Sequence, residues 1–226
     1  MSLALHECSI VFESQQVVVR PRFSIRKDKG GRLLPKHHSN LDPTLVGVKA
    51  FEHPAVKNYW KLLLEEYRPR HSVALVTPCS NVKPYTKSPT SRKIRGMLRH
   101  LGLWSSNEPR GIEWLYFSDL LILVPYQMVE DYPACCYEVP PDLVLGDKDL
   151  VKLVADLLAK AMERLVDRGL ERVIVFLSRK HLCLWDDARI KAASWPLETR
   201  VKYTLFSTKE LAKAIEAVVK AGQREG

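Results

Sequence analysis

Apolar positions along the chain fall into blocks whose period switches between two and about 3.6 residues. Residues 3–26 read as two or three strands, LALHECSIVF and then VVVRPRFSI, with a turn near Gln15-Gln16. Pro21 cannot donate to a ladder, which demotes its strand to a sheet edge. Residues 27–45 are rich in Gly, Pro and polar side chains and read as a long loop. Over residues 54–68, Val56, Tyr59, Trp60, Leu63 and Leu64 recur at helical spacing. Pro54 suits the first turn of that helix and Pro69 ends it. Val73-Ala74-Leu75-Val76 is a short uncharged run, as expected of a strand covered on both faces. Pro78 stops it. A loop dense in Cys, Lys, Pro, Tyr and Ser follows, and a basic helix opens at Pro89 with Ser88 as its N-cap.

The second half of the chain repeats the alternation. Residues 112–117 and 120–124 are apolar and form one bent strand or two, divided at Ser118-Asp119. The segment PYQMVEDYPACCYEVPPD is too irregular for a regular element and too aromatic for a disordered linker. Such a segment, beside a strand end, folds over something and often carries function. Residues 147–168 form the clearest helix: Asp147 or Asp149 caps it, and Gly169 ends it in the left-handed region. Residues 173–177 (VIVFL) read as a second doubly covered strand, 181–196 as a helix stopped by Pro196, and 201–206 as a last strand. Ser207 and Glu210 form a capping box that opens the C-terminal helix. The order is a small N-terminal β element (residues 1–46) and then helix–strand–helix–strand–helix–strand–helix (47–226). It predicts a three-layer α/β domain with a mostly parallel central sheet.

Composition narrows the class. With 46% hydrophobic and 27% charged residues in 226, the chain is long enough for one sizeable core or a core with a small addition. No apolar run approaches the roughly 20 residues needed to cross a bilayer, and the N-terminus lacks the basic start of a signal peptide, so no membrane partner is expected. The five cysteines are odd in number and form no CxxC pair, which points to a reducing cytoplasm and away from a disulfide framework or zinc knuckle. Cys135 and Cys136 are adjacent, poor geometry for holding one metal, and His37-His38 are read as solvated loop residues. No metal site is expected from these spacings. There is no GxGxxG and no GxxxxGK[ST], so no dinucleotide or P-loop cofactor is indicated.

Charge adds a partner. The net charge is +9, and its distribution matters more than its total. Between Arg68 and Asn107 there is no acidic residue, while Arg68, Arg70, Lys83, Lys87, Arg92, Lys93, Arg95 and Arg99 are basic. A second block, from Arg20 to Lys36, is opposed only by Asp28. Blocks of one sign are what a phosphate backbone selects, so a nucleic acid is the expected partner.

Candidate chemistry lies in the loop after the first buried strand, since open α/β sheets place ligands at strand carboxyl ends. Cys79 stands there close to a helix N-terminus, Lys83 and Lys87 flank Tyr85, and Ser88 and Ser91 can turn hydroxyls toward the same space. The set suits an anion, or an electrophile attacked by a thiolate or amine. Equally, Cys79 can be a small buried filler and Pro84-Tyr85 can simply hold the loop to the core.

Pro78-Cys79, three residues, Lys83-Pro84-Tyr85, two residues, Ser88, two residues and Ser91 resembles the signature of the archaeosine synthase family, PC-x3-KPY-x2-S-x2-H. Val124-Pro125, Tyr132-Pro133-Ala134, Tyr137 and Val139-Pro140 are similar to that family's second characteristic segment. The likeness spans about residues 50–206. It implies modification of tRNA: addition of an amine donor, lysine or similar, to the nitrile of 7-cyano-7-deazaguanine, in some members with a radical-SAM partner. By that resemblance Lys83 and Ser88 bind or orient the modified base or the donor, together with Pro78, Lys87 and Ser91. Tyr85 stacks on the base or donates to it. Cys79 is a transient thioimidate nucleophile or a packing residue. Glu130 or Asp131, beside Tyr132, holds the donor's ammonium or takes its proton. Arg92, Lys93, Arg95 and Arg99 contact phosphates. Two departures stand out: Ser91 occupies the position of the family's His, leaving His71 and His100 as the nearest substitutes, and Gln127 and Val129 replace expected carboxylates. The chain has no room for the transglycosylase-like and tRNA-binding PUA domains of larger members. A stand-alone core, a non-catalytic tRNA-binding subunit and a base-recognising enzyme of other chemistry, such as a glycosylase, are the alternatives.

Overall fold

The computed structural model describes residues 41–204 and 207–222, together with the backbone of Arg26–Lys27 and Leu33–Leu34. Those two short segments pair antiparallel within the stretch read as N-terminal strand and loop. The remaining strand residues expected before position 26 lie outside the described residues.

Five strands build the central sheet: β1 (Val73–Pro78), β2 (Glu113–Ser118), β3 (Ile122–Pro125), β4 (Arg172–Val175) and β5 (Leu197–Arg200). Their spatial order is β3-β2-β1-β4-β5. Neighbours are parallel except β2 and β3, which pair antiparallel across the turn at Asp119. The break at Ser118-Asp119 is therefore a hairpin rather than a bend. The Ser118 hydroxyl accepts from the N–H groups of Leu120 (3.3 Å) and Leu121 (2.9 Å), which closes it.

Among the described residues six α-helices surround the sheet: α1 (Pro54–Lys61), α2 (Pro89–His100), α3 (Pro141–Leu145), α4 (Lys148–Asp167), α5 (Arg179–Lys191) and α6 (Thr208–Gly222). Alternate residues of a strand face opposite sides. Tyr116 meets Ser91 of α2, whereas its neighbour Phe117 meets His181 and Trp185 of α5. With α6 packed on α2 and α4 on α5, the expected three-layer architecture results. Every residue of β1 and β2 is buried; Glu113, the one charge among them, accepts from the Tyr67 hydroxyl (2.6 Å) and the Arg70 N–H (2.9 Å).

Local chemistry sets the element ends. Ser88 caps α2 by accepting from the Ser91 N–H, and Asp147 caps α4 by accepting from Asp149 and Leu150. Gly169 ends α4 with φ +96°, a conformation costly for any residue with a Cβ. Three ends differ from expectation. The helix after Pro54 is regular only to Lys61 and then widens into a π-turn over Leu62–Glu66. The Arg168 guanidinium donates to the carbonyls of Tyr67 (2.6 Å), Leu64 (2.8 Å) and Glu65 (2.8 Å), groups that a helix end leaves without intrahelical partners. The helix expected over 181–196 begins earlier, at Arg179, because Ser178 takes the cap position, and it ends at Lys191. The last strand among the described residues is Leu197–Arg200; of the stretch expected as strand, residues 201–204 are irregular and 205–206 lie outside the described residues. Its polar side chains suit an edge: Glu198 accepts from the indole N–H groups of Trp185 (3.1 Å) and Trp195 (3.0 Å). A two-stranded ribbon, Trp104–Ser105 with Glu108–Pro109, stands apart from the sheet.

Near the expected boundary at 46/47, the chain is stitched to the aromatic loop. Asp42 N–H donates to Cys136, Gly47 N–H to Glu138, and Glu138 N–H to Leu45. Hydrogen bonds from a charged donor are worth about 1.5–3 kcal/mol net. Arg168→Met should therefore lower unfolding stability by about 2–3 kcal/mol, read as a shifted urea midpoint with an unchanged slope.

Candidate functional site

The chain leaves β1, the central strand, toward β2 on one side and later returns to β4 on the other. Such a reversal opens a crevice at the strand carboxyl ends. Three parallel neighbours end there. β1 delivers Cys79, whose N–H still donates to the Phe117 carbonyl of β2 (2.8 Å). β2 delivers Asp119. β4 runs on through Phe176, whose N–H donates to Val76 (2.9 Å), to Ser178 and the first turn of α5, where His181 lies.

These three residues converge. His181 Nε2 lies 3.2 Å from Asp119 Oδ2, and Cys79 Sγ lies 3.8 Å from the same oxygen. The other ring nitrogen, Nδ1, is 2.9 Å from the Ser178 hydroxyl. Asp119 and His181 are buried and Cys79 is half-buried. Asp119 Oδ1 is buried and has no hydrogen-bond partner among the described residues. Burial opposes charge on the His181 ring, but the hydrogen bonds and charges of Asp119 and Cys79 outweigh it and lift its pKa to about 10.

Beside this cluster the KPY loop folds inward. Lys83 is buried; its ammonium donates to the Ser80 carbonyl (2.7 Å) and lies over the rings of Tyr137 (4.1 Å) and Tyr85 (4.6 Å). Burial pulls its pKa down to about 8, partly resisted by the charges of Cys79 and Asp119. An amine in that range exchanges protons near neutral pH. The hydroxyls of Tyr85 and Tyr137 are hydrogen-bonded to each other, and Tyr137 continues to Ser118 Oγ (2.6 Å). Tyr85 is fully buried, with Lys83 over its ring and Tyr116 packed 4.9 Å from it. Its ring fastens the loop, and stacking on a base would require it to leave this packing.

The other expected residues divide between two places. Ser88 and Ser91 are buried in a helix-capping network: Ser88 Oγ donates to Ser91 Oγ (2.9 Å), and the Tyr116 hydroxyl donates to it as well (3.1 Å). Pro78 is the buried last residue of β1, and Lys87 is exposed. Glu130 and Asp131 are exposed, and Glu130 accepts from the Thr86 hydroxyl (3.1 Å). With Arg95, Arg99, Trp104 and Tyr126 they line a separate groove of about 600 Å³. Arg99 lies over the Trp104 ring (5.5 Å). Arg92 and Lys93 are exposed on the same helix. Tyr132 is half exposed and donates to Asp42 (3.0 Å).

Neither histidine proposed to replace the family's His is at the strand ends. His71 precedes β1, at the end of that strand opposite Cys79, and His100 is the exposed last residue of α2. The histidine beside Cys79 is His181. It and Asp119 escaped sequence reasoning because they are remote in sequence from Cys79. One signal was there: each, like Cys79, follows within a few residues on a run read as a strand, 112–117 before Asp119 and 173–177 before His181.

Comparison with known proteins adds a family and a relative. The model of a family described only as a domain of unknown function, DUF5591, matches residues 56–216. Archaeosine synthase subunit alpha from Thermoplasma acidophilum is 32% identical over 88 residues, covering 38% of this chain and 16% of that protein. The chain thus spans only a minor part of that relative. A crystal structure of AF0587, titled a protein of unknown function, is similar at a TM-score of 0.48 and 19% identity, covering 70% of this chain and 49% of its own.

The Lys83 environment has a measurable sign. Its folded pKa of about 8 lies below the unfolded value near 10.5. Between these values the unfolded chain holds a proton that the native state has released, so wild-type stability rises with pH through that window. Lys83→Met lacks this gain. The stability difference between wild type and variant should shift toward wild type, by on the order of 3 kcal/mol, as pH rises from about 8 to 10.5. A difference flat with pH would show that Lys83 is solvated.

Proposed function

We propose that this chain, which belongs to the DUF5591 family, is a tRNA-modification enzyme of the archaeosine type. The observation that carries this reading is the similarity to archaeosine synthase subunit alpha, joined to the position of the PC-x3-KPY loop at the switch point of the sheet. The electrophile is the nitrile of 7-cyano-7-deazaguanine within tRNA, and the nucleophile is a free amine, lysine or similar.

The chemistry asks little of the protein. The donor nitrogen bonds to the nitrile carbon, one C≡N π bond opens, the nitrile nitrogen takes up a proton and the donor loses one. The product is an amidine and nothing leaves. A proton-handling group and a positioned donor suffice. Lys83, with a pKa pulled to about 8, exchanges a proton at the strand ends. Glu130 and Asp131, facing Arg95 and Arg99 across the groove, offer opposite charges to a zwitterionic donor. Arg92, Lys93, Arg95 and Arg99 meet phosphates, since helix α2 carries no acidic residue to oppose them.

A second reading is favoured by Ser91. Its hydroxyl is held between Ser88 and Tyr116 at the position of the family's histidine, as expected of a tRNA-binding subunit that has lost the reaction. A radical-SAM enzyme or a separate tRNA-binding subunit would then complete the assembly.

Incubation with tRNA carrying the cyano base and free lysine, followed by digestion to nucleosides and mass spectrometry, separates the two. The enzyme reading expects a mass gain of one lysine per modified nucleoside, and a rate lowered about 10²–10⁴-fold by Lys83→Met. Tight tRNA binding without mass gain establishes the second reading, and absence of both overturns the proposal. Removing one phosphate-contacting charge, as in Arg92→Gln, should reduce the slope of log K against log salt by about one.

A further inference from the structure

Cys79, Asp119 and His181 resemble a nucleophile, a base and its orienting acid, but the ring geometry is wrong for a relay. In a relay the nucleophile and the carboxylate occupy opposite nitrogens of the imidazole. Here Nδ1 is taken by the Ser178 hydroxyl at 2.9 Å, while Nε2 faces the same Asp119 oxygen that Cys79 Sγ approaches. Sulfur, nitrogen and oxygen gather closely, with every pair of donor atoms within 4.8 Å.

We propose that Cys79 Sγ, His181 Nε2 and the Asp119 carboxylate form a mononuclear zinc site at the carboxyl ends of β1, β2 and β4. Four observations carry it. A tetrahedral ion with bonds of about 2.0–2.3 Å requires donors about 3.3–3.7 Å apart, and the spacings of 3.2 and 3.8 Å already bracket that range. One thiolate, one imidazole and one carboxylate are a borderline-soft set that suits zinc and not magnesium or calcium, which take oxygen donors. Asp119 is fully buried, and while Oδ2 faces His181 and Cys79 its second oxygen, Oδ1, lacks a partner among the described residues, so the carboxylate has unmet acceptor capacity that a cation would satisfy. Ser178 accounts for the outer nitrogen of His181 and so directs Nε2 inward, as the hydrogen-bonded outer shell of a metal histidine does.

Three ligands leave one position open. Cys79 is the half-exposed member of the set, so the open position faces the KPY loop and solvent, the arrangement of a zinc that works on a bound water or substrate rather than one that only ties the fold together. Under the proposed reaction, which this binding does not depend on, the ion would draw electrons from a nitrile nitrogen, and Cys79 would be a ligand in place of a covalent nucleophile.

The test uses the full chain after dialysis against chelator, titrated with Co²⁺ and with Zn²⁺ in the absence of tRNA. One equivalent should bind with Kd below about 1 μM, the cobalt form showing a thiolate-to-metal charge-transfer band and the strong visible bands of four-coordinate Co²⁺. Cys79→Ser should abolish the charge-transfer band and weaken zinc at least about 10-fold. Ser178→Ala, which leaves all three ligands in place, should weaken it about 10-fold with an unchanged circular dichroism spectrum. Wild-type protein that is folded yet binds no zinc at micromolar concentration overturns the proposal. So does Cys79→Ser binding cobalt with the same band and affinity, since the ion would then sit on other cysteines. Failure here leaves the nucleoside assay intact, and failure of that assay leaves metal binding intact.

Discussion

The backbone ladder that holds β2, β1 and β4 side by side is the constraint from which the rest follows. Parallel strands in register must release their chains on the same edge of the sheet. Leu75 stands opposite both Trp114 and Ile174, so the exits of β2 and β4 fall on the same edge as that of β1, each one strand spacing of about 4.8 Å to its side. The bonds that persist past the strands, from Cys79 N–H to Phe117 and from Phe176 N–H to Val76, carry that register out to the chemistry-bearing residues. The sheet brings Cys79 and Asp119 to the same edge, and the short run from β4 into the first turn of α5 adds His181.

That edge is then closed over by polar side chains at low exposure, where electrostatic terms are large. Two nitrogen bases, Lys83 and His181, share the neighbourhood of one buried carboxylate. Their pKa values move in opposite directions because their surroundings differ. Lys83 loses water and gains aromatic faces and a carbonyl, so burial dominates and its pKa falls. His181 is as deeply buried, yet it touches Asp119, and the contact dominates. The two shifts reverse the ordinary order of the groups, so at this edge the imidazole holds its proton more firmly than the amine does.

Much of this layout is legible in the chain itself. The strand at 73–76, its stop near Pro78, the Ser88–Pro89 helix start, the Asp147 cap and the Gly169 stop all depend on local chemistry, and local chemistry can be read from residues in order. The charge block from Arg68 to Asn107 likewise forecast the exposed basic face of α2. What could not be read is what depends on register between distant segments. Asp119 looked like a strand break and His181 like an ordinary helical residue, because their meaning comes from Cys79 across two strand pairings. Conversely, Ser88, Ser91 and Tyr85 looked reactive by type, yet the fold spends them on a cap and an aromatic anchor. The final strand was misplaced because VKYTLF is more strand-like by composition than LETR. The edge of the sheet accepts the polar segment since two tryptophan N–H groups and Arg200 engage Glu198.

Glu130, Asp131, Arg95 and Arg99 lie in the groove, apart from the strand ends, so the location of the reacting base is the pivotal question. A crystal soak with free 7-cyano-7-deazaguanine answers it most directly. The account expects the nitrile to point at the strand ends, in contact with Cys79 or Lys83. Density for the base confined to the groove between α2 and Tyr126, or found on the α4–α5 face, would contradict it.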